Sequence, residues 1–200
     1  CFGTGISNSD SFLENDWEYF MNNTHIKTSE TVIKNYLLFE EKDTLVPFRI
    51  SESERLLRQL SYIYDARIMV IPVSNREVDV MVITRDVYSL GLMTDIHGYN
   101  VGKVIVFDRN LLGFGHELEI EVPYDYRKYN STGFGASYML KNISRTLIDA
   151  EFMYRNAFDR RILGANVSRK FLTAYTKYAG GLSLSESYVL EDLDTLEIPE

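Results

Sequence analysis

Cysteine is nearly absent from this chain: one residue, Cys1, among 200. A lone thiol excludes an internal disulfide framework and any cysteine-based zinc site, and it leaves the redox compartment open. Proline and glycine are also scarce, at 4 and 12 residues. With 45% apolar and 25% charged residues, this is the composition of an ordered chain. Positive charge is in deficit, 21 basic against 29 acidic residues, for a formal charge of −8. Phosphate backbones are bound by basic faces, so nucleic acid is not an expected partner. No run approaches the roughly 18 consecutive apolar residues of a membrane-spanning helix. There is no secretory signal, and the chain opens on cysteine, so it is expected to be processed or excised from a longer protein. Cys1 is compatible with a lipidated start or with an arbitrary one.

Aromatic residues, by contrast, are abundant: 14 tyrosines and 11 phenylalanines. Such a load suits a β-rich chain, either an ordinary sandwich or a barrel with aromatic girdles.

The chain changes character near residue 88. Before it, helical and strand patterns mix. Thr28 to Phe39 reads as a helix, capped by Thr28 or Ser29, with Glu30 in the first turn and Val32, Ile33, Tyr36 and Leu37 as its apolar stripe. Ser51-Glu52-Ser53-Glu54 reads as a capping box opening a second helix, along which Leu56, Leu57, Leu60 and Ile63 recur at helical spacing. Two strands follow, Ala66 to Val73 and Glu77 to Val87, turning at Ser74-Asn75-Arg76. In the second, Val78, Val80 and Val82 oppose Asp79, Met81 and Ile83. A further strand is expected before Thr28, within Asp16 to Asn23. These elements predict a small α+β unit with helices on one face of an antiparallel sheet.

After residue 88 the period becomes two. His116 to Tyr126 sets Leu118, Ile120, Val122 and Tyr124 against Glu117, Glu119 and Glu121. Thr132 to Asn142, Leu147 to Asn156, the segment around Leu163 to Val167 and Tyr178 to Ser185 alternate in the same way. Links are expected near 98–102, 109–115, 127–131, 142–146, 157–160 and 171–176. Each segment runs to about ten residues, the length of a tilted strand crossing a bilayer. A soluble sheet with one buried face would alternate identically.

No constellation of catalytic groups emerges. His25, His97 and His116 lack metal-ligand spacing. Asp149 and Glu151 share a strand face, as paired glycosidase carboxylates do, but no cleft is indicated around them. No Gly-x-Ser-x-Gly elbow occurs. Asp108 to Gly115 has neither the glycine spacing nor the lysine of a phosphate loop. An enzyme is not expected, nor a cofactor or a metal.

Several motifs in order resemble the BamA/TamA-type outer-membrane assembly superfamily, in its surface-antigen-like branch. Asn23 to Thr28 with Val32-Ile33 and Leu37-Leu38-Phe39 is similar to the opening of a POTRA domain. Ser51 to Leu60, Asp65 to Ile68, and Val78 to Val80 with Thr84 to Gly91 resemble that domain's second helix, its strands and the lead into the barrel. Asp108 to His116 resembles the barrel's first turn, and Gly133 to Asn142 and Leu172 to Ser185 its following strands. The resemblance spans residues 23–188.

It implies a lead-in over 1–22, a POTRA-like β-α-α-β-β domain over 23–87 and an antiparallel up-and-down barrel segment, incomplete, over 88–200. The family's late-barrel loop motif is absent, and about seven strands are expected where members close a barrel of about sixteen. The implied location is the outer membrane of a Gram-negative bacterium, with the POTRA-like part in the periplasm. The implied function is to bind unfolded outer-membrane proteins and promote their folding and insertion or translocation. Outer-membrane lipid and accessory lipoproteins are the further partners it suggests. The working surface would be the first barrel strand, Leu90, Gly91, Leu92, Met93, Thr94, Asp95 and Ile96, whose weak seam can template a client strand. Two alternatives stand beside this: an export pore for lipid or polypeptide on the same fold, and a soluble β-rich binding protein.

Overall fold

The computed structural model describes residues 26–128 and 130–189, which fall into two compact units. The first runs to Ser89 and includes Leu112–Phe114; the second comprises Leu90–Leu111 and the chain from Gly115 onward.

The first unit holds α1 (Glu30–Asn35), α2 (Pro47–Arg58), β1 (Ile63–Pro72) and β2 (Val78–Asp86). Helix α1 is only 6 residues long, half the expected length, and the chain leaves it at Tyr36. Helix α2 begins four residues before the capping box expected at Ser51. Pro47 occupies its first turn, where a missing N–H costs nothing and a fixed φ is already helical. Ser51 and Glu54 therefore sit inside the helix. The Ser51 hydroxyl donates back to the Pro47 carbonyl, and the Glu54 carboxylate accepts the backbone N–H of Ile68 at 2.9 Å and pairs with Arg58 at 2.7 Å. The apolar stripe does what its spacing predicts: Leu56, Leu57 and Leu60 are buried, with Tyr62 and Ala66 beside them. Ile63 is buried too, but as the first residue of β1. Ser53, also buried, accepts the N–H of Leu38 and donates to the carbonyl of Arg49, which ties the segment after α1 to α2.

β1 and β2 form an antiparallel pair, Ala66 opposite Thr84 and Val70 opposite Val80. Val80 and Val82 are half-buried while Asp79, Met81 and Ile83 are exposed, as the alternation requires, but Val78 at the strand's start is exposed as well. The strand expected within Asp16 to Asn23 lies outside the described residues. What is described is therefore α-α-β-β.

The second unit is one antiparallel sheet of seven strands in chain order: β3 (Leu90–Ile96), β4 (Val101–Leu111), β5 (His116–Asp125), β6 (Phe134–Leu140), β7 (Ile148–Ala157), β8 (Arg160–Arg169) and β9 (Gly180–Val189). Every strand neighbours the next, as short hairpin links dictate. The sheet does not close: among the described residues β3 pairs only with β4, and β9 only with β8. The links fall where the sequence places them. Two are held by asparagine side chains standing in for backbone: Asn110 accepts the N–H of Gly115 at 2.7 Å, and Asn142 that of Leu147 at 2.9 Å. The tight β7–β8 turn puts Phe158 and Asp159 both at positive φ, a two-residue hairpin geometry usually left to Asn-Gly.

Candidate functional site

Pairing registers assign each side chain to one of the sheet's two faces. One face carries Leu90, Leu92 and Ile96 on β3, Val104 and Val106 on β4, and Leu118, Ile120 and Val122 on β5. It continues through Phe134, Ala136 and Tyr138, then Phe152 and Tyr154, then Leu163, Ala165 and Val167, to Leu182 and Leu184 on β9. Its polar exceptions, Asp108, His116, Asn156, Arg161, Arg169 and Glu186, lie toward strand ends; Thr94 interrupts a strand centre. Much of this apolar surface is open: Leu92 is 68% exposed and Leu182 and Leu184 63%.

The opposite face carries the sheet's ion pairs. Lys141 meets Glu117 at 2.6 Å, and Arg155 meets Glu121 at 2.8 Å. The second pair spans three strands, β5 to β7, across Gly135. A Cβ at Gly135 would stand 2.6 Å from Glu121 Cγ, so the glycine is what lets the two side chains meet over β6. Serines continue this face to the edge, with Ser183 and Ser185 opposite Asn166 and Gly164.

The candidate strand expected at Leu90 to Ile96 is a strand over those bounds, and among the described residues it is a sheet edge. Leu90, Leu92, Thr94 and Ile96 lie on the apolar face; Gly91, Met93 and Asp95 lie on the charged one. Its free edge leaves backbone donors and acceptors available for a further strand. Asp95 sits between Lys103, at 3.9 Å, and the ring of His97, at 3.4 Å. Gly91 is covered by its neighbour. The ring of Phe107, its cross-strand partner, lies over it so closely that a Cβ would stand 2.3 Å from Phe107 Cζ. Arg109 then stacks on the same ring at 4.7 Å and reaches toward Glu117 at 3.9 Å. A bare backbone position on the edge strand is thus filled from β4, an aromatic standing in for a missing side chain.

Sequence reasoning named the edge strand but not Phe107 or Arg109. The signal was the pairing of Gly91 with an aromatic, which no sequence pattern reveals until the register is known. His116 is engaged structurally, its Nδ1 2.6 Å from the Tyr138 hydroxyl. The Asp149 carboxylate accepts the N–H of Asn142 and so shapes a turn. His25 lies outside the described residues.

No family model matches this chain, and no curated protein matches it. Among solved structures, it is similar to the crystal structure of BamA from Haemophilus ducreyi lacking POTRA domains 1-3. The TM-score is 0.54 at 14% identity, over 71% of this chain and 30% of that one. At that identity the likeness is one of fold. The chain has the antiparallel, unclosed sheet of a BamA-like barrel segment, and it spans under a third of the BamA chain.

Proposed function

We propose that the seven-stranded sheet is part of an outer-membrane β-barrel wall, its apolar face toward lipid and its ion-paired face toward water, and that the protein assists assembly of other outer-membrane proteins. The observation that carries the first half is the contrast between the two faces along β5 to β9. Six strand intervals of ~4.8 Å and apolar positions spread over ~20 Å give an exposed apolar area of roughly 600 Å², the upper end of what a soluble monomer leaves open. A ten-residue strand tilted by about 40° rises ~25 Å, the height of the apolar band of such a barrel. The BamA-like fold supports the same reading.

The assembly role rests on the edge strand. Leu90 to Ile96 offers an unpaired backbone ladder whose second residue is a glycine, and a client segment adding there would gain main-chain hydrogen bonds with little demand on its sequence. The partners are unfolded outer-membrane proteins, membrane lipid and accessory lipoproteins, and the role needs no covalent chemistry. In the same reading the first unit is a POTRA-like periplasmic domain of a Gram-negative cell.

Two measurements test the halves separately. Extraction of cell membranes should release the protein only with detergent; recovery in a carbonate-washed aqueous fraction would remove the barrel reading. Cysteines placed at Leu92 and Thr94 should cross-link to an unfolded outer-membrane protein during its assembly. Cross-links that form equally from Val104 and Val106, on the already paired β4, would remove the edge-strand reading.

A further inference from the structure

The strand ends that share a side of the sheet with Leu90 are joined by links over 112–115, 141–147 and 170–179. In a chain of formal charge −8, this side is basic. Residues 141–147 hold Lys141 and Arg145, residues 169–179 hold Arg169, Lys170 and Lys177, and neither stretch contains an aspartate or a glutamate. Arg169, the last residue of β8, stands on the apolar face between Ile148 and Gly180. It is half-buried, and its Nε is buried with no hydrogen-bond partner among the described residues. Gly180 gives it no cover, since a Cβ there would meet nothing within 4 Å. The nearest carboxylate across the pairing, Asp149, lies on the other face and holds the N–H of Asn142. The adjoining link is shaped from within: Thr173 and Thr176 are buried and joined hydroxyl to hydroxyl at 3.0 Å. Lys170, Phe171, Lys177 and Tyr178 around them are exposed, and neither lysine has an ion pair among the described residues. A guanidinium at the border of an apolar face is costly unless an anion or water meets it.

Resting on the reading of this face as lipid-facing and of the Leu90 side as periplasmic, we propose that Arg169, Lys170 and Lys177 hold the head group of a phosphatidylglycerol in the periplasmic leaflet. Arg169 takes the phosphate with paired donors, from the border of the face on which the acyl chains lie. The two lysines add attraction at the surface, each worth about as much as a juxtamembrane cation beside anionic lipid. Phe171 and Tyr178 sit at head-group level, where a ring can be half in hydrocarbon. The charge pattern selects this head group. Phosphatidylethanolamine offers the same phosphate but brings an ammonium, and this link has no carboxylate to receive it. Its positive charge would instead stand among three cations, in a region where water screens poorly.

The test is native mass spectrometry of the full 200-residue chain released from detergent, titrated with phosphatidylglycerol, phosphatidylethanolamine or glycerophosphoglycerol, the same head group without acyl chains. Phosphatidylglycerol should bind about fivefold more tightly than phosphatidylethanolamine, the worth of one net charge contact. Arg169→Gln should bring it down to the phosphatidylethanolamine level, and Lys170→Gln with Lys177→Gln together should do the same. Arg161→Gln, on the same face at the other end of β8, should leave the preference unchanged. Circular dichroism should show the sheet intact in each variant. Equal binding of the two lipids, a preference that survives Arg169→Gln, or one lost equally in Arg161→Gln would each overturn the proposal. So would glycerophosphoglycerol binding as tightly as the lipid, which would make this a free-anion site. A chain that needs detergent yet shows no preference would sink this inference alone. A chain that binds no lipid and stays soluble without detergent would sink the membrane reading with it.

Discussion

The two units hold apolar side chains in quantity and use them in opposite ways. In the first, Leu56, Leu57, Tyr62 and Ala66 are at most 2% exposed, packed where a helix meets a strand pair. In the second, Leu92, Ile96, Leu182 and Leu184 are 63–68% exposed, on a sheet with no second layer among the described residues. Burial in water stabilises the first unit directly. The sheet gains nothing comparable until something other than water covers its face. The largest expected effect follows from this difference. Leu57→Ala should cost the first unit about 2–5 kcal/mol, because a side chain with no exposure leaves both its transfer energy and a cavity behind. Hydrogen exchange should show β1 and β2 amides losing protection while β4 to β8 keep theirs. Equal loss in both units would mean they fold as one, and the comparison would collapse.

The second effect sharpens the contrast between the sheet's own faces. Ala165 and Asn166 are neighbours in sequence but point to opposite sides of β8. Ala165→Arg near the middle of the apolar face should cost about 2–4 kcal/mol when the chain folds into lipid vesicles. Asn166→Arg, beside Glu151 on the charged face, should cost little. Urea midpoints of refolding into vesicles would compare the two. If both cost the same, the apolar face does not meet hydrocarbon.

How much of this was legible in the sequence depends on the distance over which each feature acts. The hairpin links and the inward valines of β2 come from local periodicity, which a sequence displays openly, whereas Leu90 to Ile96 was expected as a strand only from the family resemblance. Leu56 and Leu57 of α2 were readable for the same reason, although Leu60 falls just past the end of the helix and Ile63 in β1. The start of α2 was misplaced because Ser-x-x-Glu satisfies a capping pattern wherever it occurs, whereas Pro47 four residues earlier fixed the actual first turn. Register-dependent features could not be read at all. Glu121 bridging to Arg155 over Gly135, and Phe107 covering Gly91, both join residues whose alignment exists only once strands pair.

The edge strand provides the third expectation. Gly91→Val places atoms where the Phe107 ring lies, and that ring cannot tilt without losing its stack with Arg109. The cost should be about 1–2 kcal/mol, concentrated in faster exchange of β3 amides. In a Phe107→Ala background the same substitution should cost close to nothing. Additive costs in that double-mutant cycle would show that the ring and the glycine are not coupled.

The smallest effect separates two serines that sequence alone treats alike. Ser51 looked like a cap, yet its hydroxyl is exposed and only bonds back to Pro47 at 3.2 Å. Ser51→Ala should change stability by less than about 0.5 kcal/mol, as surface substitutions without a special role do. Ser53, two residues on, is wholly buried and accepts the Leu38 N–H at 2.8 Å while donating to Arg49 at 2.7 Å. Removing that oxygen strands a backbone donor away from water, so Ser53→Ala should cost about 1–2 kcal/mol. Thermal or urea unfolding followed on the first unit would rank them. A larger loss from Ser51→Ala would mean that the helix starts at the capping box after all, and that Pro47 does not set its first turn.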